Sequence, residues 1–258
     1  MNIDNRIFSM GDIPYDILQG YGISQEMIDD LPEDVLNDLL SGRRTPPMPV
    51  TRKLKSGKEF KGKASIFLVR TEERVNVMFV FRWEGDALDG YDNDVQNKLR
   101  GGHVVVLKND ELMKYAQLDN TTNRVMKADS NVINHNIDTF SRIMGLSEDE
   151  RKDMLNKPFV TFSKDYGDKG TATMTSGIDL HAPNGILSVI GDAEKWELAK
   201  TDTNLTHYNW GMYGCWETGD DGTFNKYIPE EEYTEEMYQK MHEEADSARQ
   251  NINRQQHL

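Results

Sequence analysis

The sequence predicts an α+β fold of short helices packed on small antiparallel sheets. Three observations carry that prediction. A short polar helical stretch, a turn and a β-rich run recur in the same order at 23–50, 88–107 and 143–162. The apolar runs are short and alternate in the manner of half-buried strands. Each helical stretch also carries its own start and stop residues. Units of this size cannot each bury a full core, so they are expected to stack on one another.

In the first copy Ser24 is the N-cap, and Ile28, Leu31, Val35, Leu36, Leu39 and Leu40 lie near helical spacing. Pro32 splits this stretch into two short helices, and Gly42 caps the second before an extended TPPMP segment. Lys63 to Trp83 reads as two strands, KASIFLVR and VNVMFVFRW, around the turn TEER. In the second copy Asp92 caps a helix bearing Val95 and Leu99. Gly101-Gly102 ends it before the strand HVVVL, and NTTN joins MKYAQLD to RVMKA in a hairpin. In the third, Ser147 and Glu150 have capping-box spacing ahead of Met154, Leu155 and the strand FVTF, with two further strands ending in ILSVI.

Past Gly191 the pattern changes. The aromatic- and glycine-rich stretch from Trp196 to Ile228 reads as one or two hairpins outside any repeat. Pro229 is then expected to open a helix with Tyr233, Met237, Met241 and Ala245 on one stripe, and the tail after Ala248 to fray. The organisation expected is therefore 1–110 (first unit and start of the second), 111–190 (a repeat-type unit) and 191–258 (hairpin, acidic helix and tail).

With 258 residues the chain has room for one large or two small domains. No stretch approaches the roughly 20 apolar residues that cross a bilayer, and the first residues lack a signal peptide's pattern, so a cytoplasmic location and no membrane partner are expected. The single cysteine, Cys215, excludes an internal disulfide and fits a reducing compartment. A net charge of -14 argues against general affinity for nucleic acid. The distribution is uneven, however. Arg43, Arg44, Arg52, Lys53, Lys55, Lys58, Lys61 and Lys63 form a basic stripe opposed by Glu59, while Glu230 to Asp246 is strongly acidic.

Few residues offer chemistry. Cys215 with His207 as base has no third orienting group, so a buried structural thiol is the preferred reading. The histidines show no metal-ligand spacing with each other; His181, with Asp179 close in sequence, is the strongest single candidate and is still better read as a strand-end residue. GDKGTA and SGRRT match neither a phosphate loop nor a dinucleotide fingerprint. The acidic pairs Asp29-Asp30 and Asp220-Asp221 read as solvated faces. No catalytic residue, metal site or cofactor is assigned. Two binding readings remain: Arg43, Arg44, Arg52 and Lys53 tracking a nucleic-acid backbone, and Tyr208, Trp210, Tyr213 and Trp216 forming a platform for a ring or partner. Alternation places Tyr208 and Trp210 on one face, so a local core against the C-terminal helix competes with the platform.

GISQEMIDDLPEDVLNDLLSGRRTPPM with the strand pair after it resembles the domain of unknown function 4099. YAQLDNTTNRVMKA with IMGLSEDERKDMLNKPFVTF resembles the domain of unknown function 3945. These families are typical of conjugative transposons and other mobile elements of Bacteroidetes, and no catalytic residues are established for them. The resemblance spans roughly Asp16 to Ile190. It implies a non-enzymatic accessory module of a mobile element or phage that binds a protein partner or nucleoprotein complex. The alternatives are a nucleic-acid-associated factor using the basic stripe and an acidic decoy of a host factor using the C-terminal helix.

Overall fold

The computed structural model describes residues 6–109, 112–167, 170–201 and 205–255. The chain is α+β, with eight α-helices and four three-stranded antiparallel sheets among the described residues. Every sheet is a meander in sequence order. The chain divides into two compact units, one holding the described residues of Met1–Arg82 and Asn204–Leu258, the other those of Trp83–Thr203.

The first unit begins with α1 (Tyr15–Gln19), α2 (Gln25–Asp29) and α3 (Glu33–Leu40), followed by the sheet β1 (Met48–Lys53), β2 (Glu59–Arg70) and β3 (Val75–Phe81). Local chemistry sets the helix ends. Ser24 Oγ accepts from the Met27 N–H at 3.3 Å, satisfying a donor that the helix itself cannot. Pro32 precedes α3 as its N-cap residue. Gly42 turns with φ +73°, and the Arg43 N–H returns to the Asp38 carbonyl at 2.8 Å, closing the helix C-terminus. The apolar faces of these helices and of the sheet meet in a core that includes Ile23, Ile28, Leu39, Leu40, Met48 and Ile66.

Trp216 and Phe224 complete that same core from the far end of the chain. They belong to the sheet β10 (Tyr208–Trp210), β11 (Gly214–Thr218) and β12 (Phe224–Pro229). The indole N–H of Trp216 donates to the Met27 carbonyl at 2.9 Å, so the ring is both buried and satisfied. The other face of this sheet carries Cys215, Ile228, Tyr208 and Trp210, packed with Met237 of α8 (Glu235–Gln255).

The second unit contains α4 (Asn93–Arg100), the sheet β4 (Val105–Asn109), β5 (Leu112–Asp119) and β6 (Arg124–Asp129), then α5 (Ser130–Met144) and α6 (Glu148–Asn156). The sheet β7 (Val160–Asp165), β8 (Thr171–Ile178) and β9 (Ile186–Ile190) follows, and α7 (Ala193–Thr201) ends the unit. Asp92 caps α4, and Ser147 and Glu150 cap α6 reciprocally at 3.2 and 2.7 Å. The two sheets share one core through Tyr115, Ile133, Ile137, Met154, Phe162, Met174 and Ile178. Gly177 sits where a Cβ would lie 2.2 Å from the Pro158 carbonyl oxygen and 2.8 Å from the Trp196 ring, so only glycine fits.

Several expectations are corrected. The boundary expected at 110 falls between the paired strands β4 and β5, and the one at 190 separates β9 from α7, which packs on it. The segment beyond Gly191 is a helix followed by a three-stranded meander, the same order as the preceding copies. Three helices, α1, α5 and α7, were not read from the sequence. Pro229 opens only a short 3-10 turn at Glu230–Glu232. Tyr233 is extended, and α8 starts at Glu235 with Thr234 Oγ1 accepting from the Met237 N–H. The helix continues past Ala248 to Gln255; residues 256–258 of the expected tail lie outside the described residues.

Candidate interaction surface

The basic stripe is not one patch. Lys53 pairs with Glu59 while Arg44 lies over Phe67, eight positions further along β2, which at about 3.3 Å per residue puts them roughly 20 Å or more apart. Arg43 is spent at the end of α3, where its guanidinium pairs with Asp38 at 2.5 Å. Arg44 lies over the Phe67 ring, 5.8 Å from its centroid. Lys63 donates to Thr223 Oγ1 and Asn225 Oδ1 at 2.7 and 2.8 Å, tying β2 to the start of β12. Arg52 and Lys53 instead sit at the outer end of the β1–β2 hairpin.

That hairpin end is exposed throughout from Arg52 to Lys61. Its turn closes through the Leu54 N–H to the Lys58 carbonyl at 2.8 Å, with Gly57 at φ +80° supplying the left-handed residue. Lys53, Lys55 and Lys58 have no side-chain partner among the described residues, and Lys61 pairs with Glu59 at 3.2 Å. Leu54 and Phe60 are 46% and 38% exposed, an apolar element among the cations.

The register explains how Phe60 is held. Arg52 is the cross-strand partner of Phe60, and on the same face β2 continues with Gly62 and Ala64, the latter opposite Phe81. The small residues leave room for the rings to meet above them. Phe60 packs edge-on to Phe81 at 5.5 Å, and a Cβ on Gly62 would come within 3.0 Å of the Phe60 ring. Behind them Tyr21 stacks on Phe79 at 4.0 Å. The Arg52 guanidinium lies 4.8 Å over the Tyr21 ring centroid and donates to its hydroxyl.

The four aromatics singled out in the C-terminal sheet are divided. Trp216 is fully buried in the first core, on the face opposite Tyr208 and Trp210. Tyr208 and Trp210 face α8: Lys240 lies over Tyr208 at 5.1 Å, and the Trp210 indole N–H donates to Glu244 Oε2 at 2.8 Å. Tyr213 is in the β10–β11 turn and exposed, beside Met212, which is 77% exposed. Cys215 is fully buried, and burial pushes its thiol up to about 12, so it is no nucleophile at neutral pH. The His207 ring Nδ1 lies 3.2 Å from the Thr218 carbonyl.

In the second unit, Asp179 is near His181 in space as well as in sequence: His181 Nδ1 lies 2.9 Å from Asp179 Oδ1. Sequence reasoning gave no sign of Asp119, at the end of β5, whose Oδ1 lies 3.8 Å from His181 Nε2. Both carboxylates are buried. Asp119 also accepts from the hydroxyls of Thr121 and Thr122 at 2.7 and 2.6 Å. Burial alone would push the His181 pKa down, but the two flanking carboxylates outweigh it and raise it to about 9. Burial likewise opposes ionisation of Asp119 and Asp179, and their hydrogen bonds, with His181 prominent, hold both below the ordinary carboxylate value. An imidazolium pinned in this way cannot accept a proton at neutral pH. It acts as a clasp between the β5–β6 turn and the β8–β9 loop, helped by Gln117 Oε1 accepting from the Leu180 N–H at 2.7 Å.

Among the described residues no group of three or more His, Cys, Asp or Glu is arranged to hold a metal ion, and no helix is long and apolar enough to cross a membrane. Compared with known proteins, the chain matches no family model, no curated protein and no solved structure. Geometry is therefore the ground for its function.

Proposed function

We propose that the chain is a non-enzymatic interaction module that docks a nucleoprotein complex through the β1–β2 hairpin. The observation that carries this reading is the hairpin end, where Lys53, Lys55 and Lys58 are exposed beside the partly exposed Leu54 and Phe60 on a two-stranded support. Exposed cations beside an exposed ring and aliphatic side chain favour an anionic partner surface. The buried ionisable groups support the same reading, because Asp30, Asp119, Asp179 and Cys215 are occupied in holding the fold. A cytoplasmic accessory role in a mobile element or phage belongs to this proposal and draws on the resemblance of the helix-to-strand copies.

The test is capture from lysate of the source cells, with and without nuclease, by the wild-type chain and by a variant carrying Lys53→Glu, Lys55→Glu and Lys58→Glu. The proposal expects a set of partners that high salt removes and that the variant fails to retain. Identical capture by both chains would overturn it.

A further inference from the structure

The hairpin presents more than charge. Phe60 and Arg52 are a cross-strand pair on one face of the sheet. Both are braced from behind, Phe60 by Phe81 and Arg52 by Tyr21, which itself stacks on Phe79. Bracing matters because a side chain already fixed loses little freedom when a ligand arrives. A planar guanidinium and a benzene ring are both groups on which a nucleobase stacks without sequence preference. Lys53, Lys55 and Lys58 sit within the same ten-residue span, where a sugar-phosphate backbone running past the stacked base would meet them.

We propose that the β1–β2 hairpin binds single-stranded nucleic acid, with Phe60 and Arg52 stacking an unpaired base and Lys53, Lys55 and Lys58 meeting the backbone phosphates. This deepens the docking reading above and rests on it, by naming nucleic acid as the part of the complex the hairpin touches. A single strand is favoured over a duplex because the rings of a duplex are stacked on each other and offer no face to Phe60. A single strand is favoured over an acidic protein because carboxylates would engage the lysines but have no use for the braced ring. The net charge of -14 does not forbid this. At physiological ionic strength charges are screened over about 8 Å, so the hairpin's own cations dominate the field at its tip.

The experiment is fluorescence anisotropy of end-labelled 20-nucleotide mixed-sequence DNA and RNA, single-stranded and duplex, titrated with the full chain at several salt concentrations. Single strands are expected to bind better than the duplex. The slope of log affinity against log salt is expected to change by about 2 when the three lysines are replaced by Gln, from about 0.7 per phosphate contact. Phe60→Leu keeps the apolar volume and removes the aromatic face; it is expected to weaken binding about tenfold with the slope unchanged. Thermal unfolding of both variants confirms that they are folded. Duplex binding equal to single-strand binding, or unchanged affinity in Phe60→Leu, would overturn the proposal, as would the absence of oligonucleotide binding. If oligonucleotides fail to bind while the charge-reversed hairpin still loses partners from lysate, the nucleic-acid inference falls and the docking reading stands.

Discussion

Asp30 Oδ1 accepts a hydrogen bond from the backbone N–H of Met212 at 2.6 Å, across 182 positions of sequence. The same carboxylate accepts from the Tyr213 N–H at 3.0 Å and from the Tyr227 hydroxyl at 2.5 Å, and it is buried. One side chain at the end of α2 thus fixes the β10–β11 turn and orients β12, joining the two ends of the chain in one unit. A carboxylate this enclosed is held by its hydrogen bonds.

Replacing Asp30 with Ala should cost about 3 kcal/mol, since several charge-assisted hydrogen bonds are lost together. Gly211 approaches so closely that a Cβ there would stand 2.2 Å from Asp30 Cγ. Gly211→Ala should therefore cost about 2 kcal/mol by displacing the carboxylate. The two losses should not add, because the second substitution attacks a contact the first has already removed. Urea denaturation of the single and double variants measures this; full additivity would refute the clamp.

Trp210 and Trp216 offer a second comparison, six residues apart on neighbouring strands. Trp216→Ala should cost about 3–5 kcal/mol, the usual range for emptying a buried aromatic site. Trp210 is half-buried, so Trp210→Ala should cost less than half as much. Chemical denaturation with matched slopes decides the order, and equal losses would mean that the two faces of the sheet have been misassigned.

The Asp119–His181–Asp179 clasp predicts a pH window. The His181 pKa is raised from 6.5 to about 9, so its contribution to stability is complete below about pH 6.5 and disappears as pH rises through about 9. The two aspartates are depressed, so theirs is complete above about pH 4 and is lost as pH falls through their lowered values. The clasp is strongest between those limits. Its size is limited by the half-exposed imidazole, where solvent screens the ion pairs. In melting curves across pH, His181→Gln should differ most from the wild type between about pH 4 and 6.5, and the difference should shrink towards pH 9. A constant difference at all pH values would contradict the clasp.

Cys215 should be chemically silent in the folded chain. A thiol with no exposed surface and a pKa raised to about 12 should react with a disulfide reagent at pH 8 only after unfolding, so its rate reports opening of the sheet against α8. Fast reaction in the absence of denaturant would place the thiol at the surface instead.

Much of the fold was legible because its punctuation is local. Ser24, Pro32, Gly42, Asp92 and Ser147 act within four residues of themselves, and each is found at the helix end that its chemistry demands. Alternation put Tyr208 and Trp210 on one face, as found, but gave no sign that Trp216 lies on the other, because the turn between the strands resets the count. The α5 helix escaped because it starts at Ser130, directly from the last residue of β6, with no loop to announce it. The site was less legible for a physical reason. Arg43, Arg44, Arg52 and Lys53 are near in sequence, but an extended strand carries them apart. Phe60 and Tyr21 are far apart in sequence, and only strand register and packing bring them to Arg52. Asp119 was invisible as a functional partner for the same reason, and Asp30, expected on a solvated face, is buried.

Site-specific photo-crosslinking in the source cells tests the central claim, that the hairpin end is the docking surface. A photoreactive residue placed at Lys58 should capture a partner, while the same residue at Met212, in the exposed β10–β11 turn, should not. Adducts from position 212 with none from position 58 would contradict the account and move the docking surface to the turn that Asp30 holds.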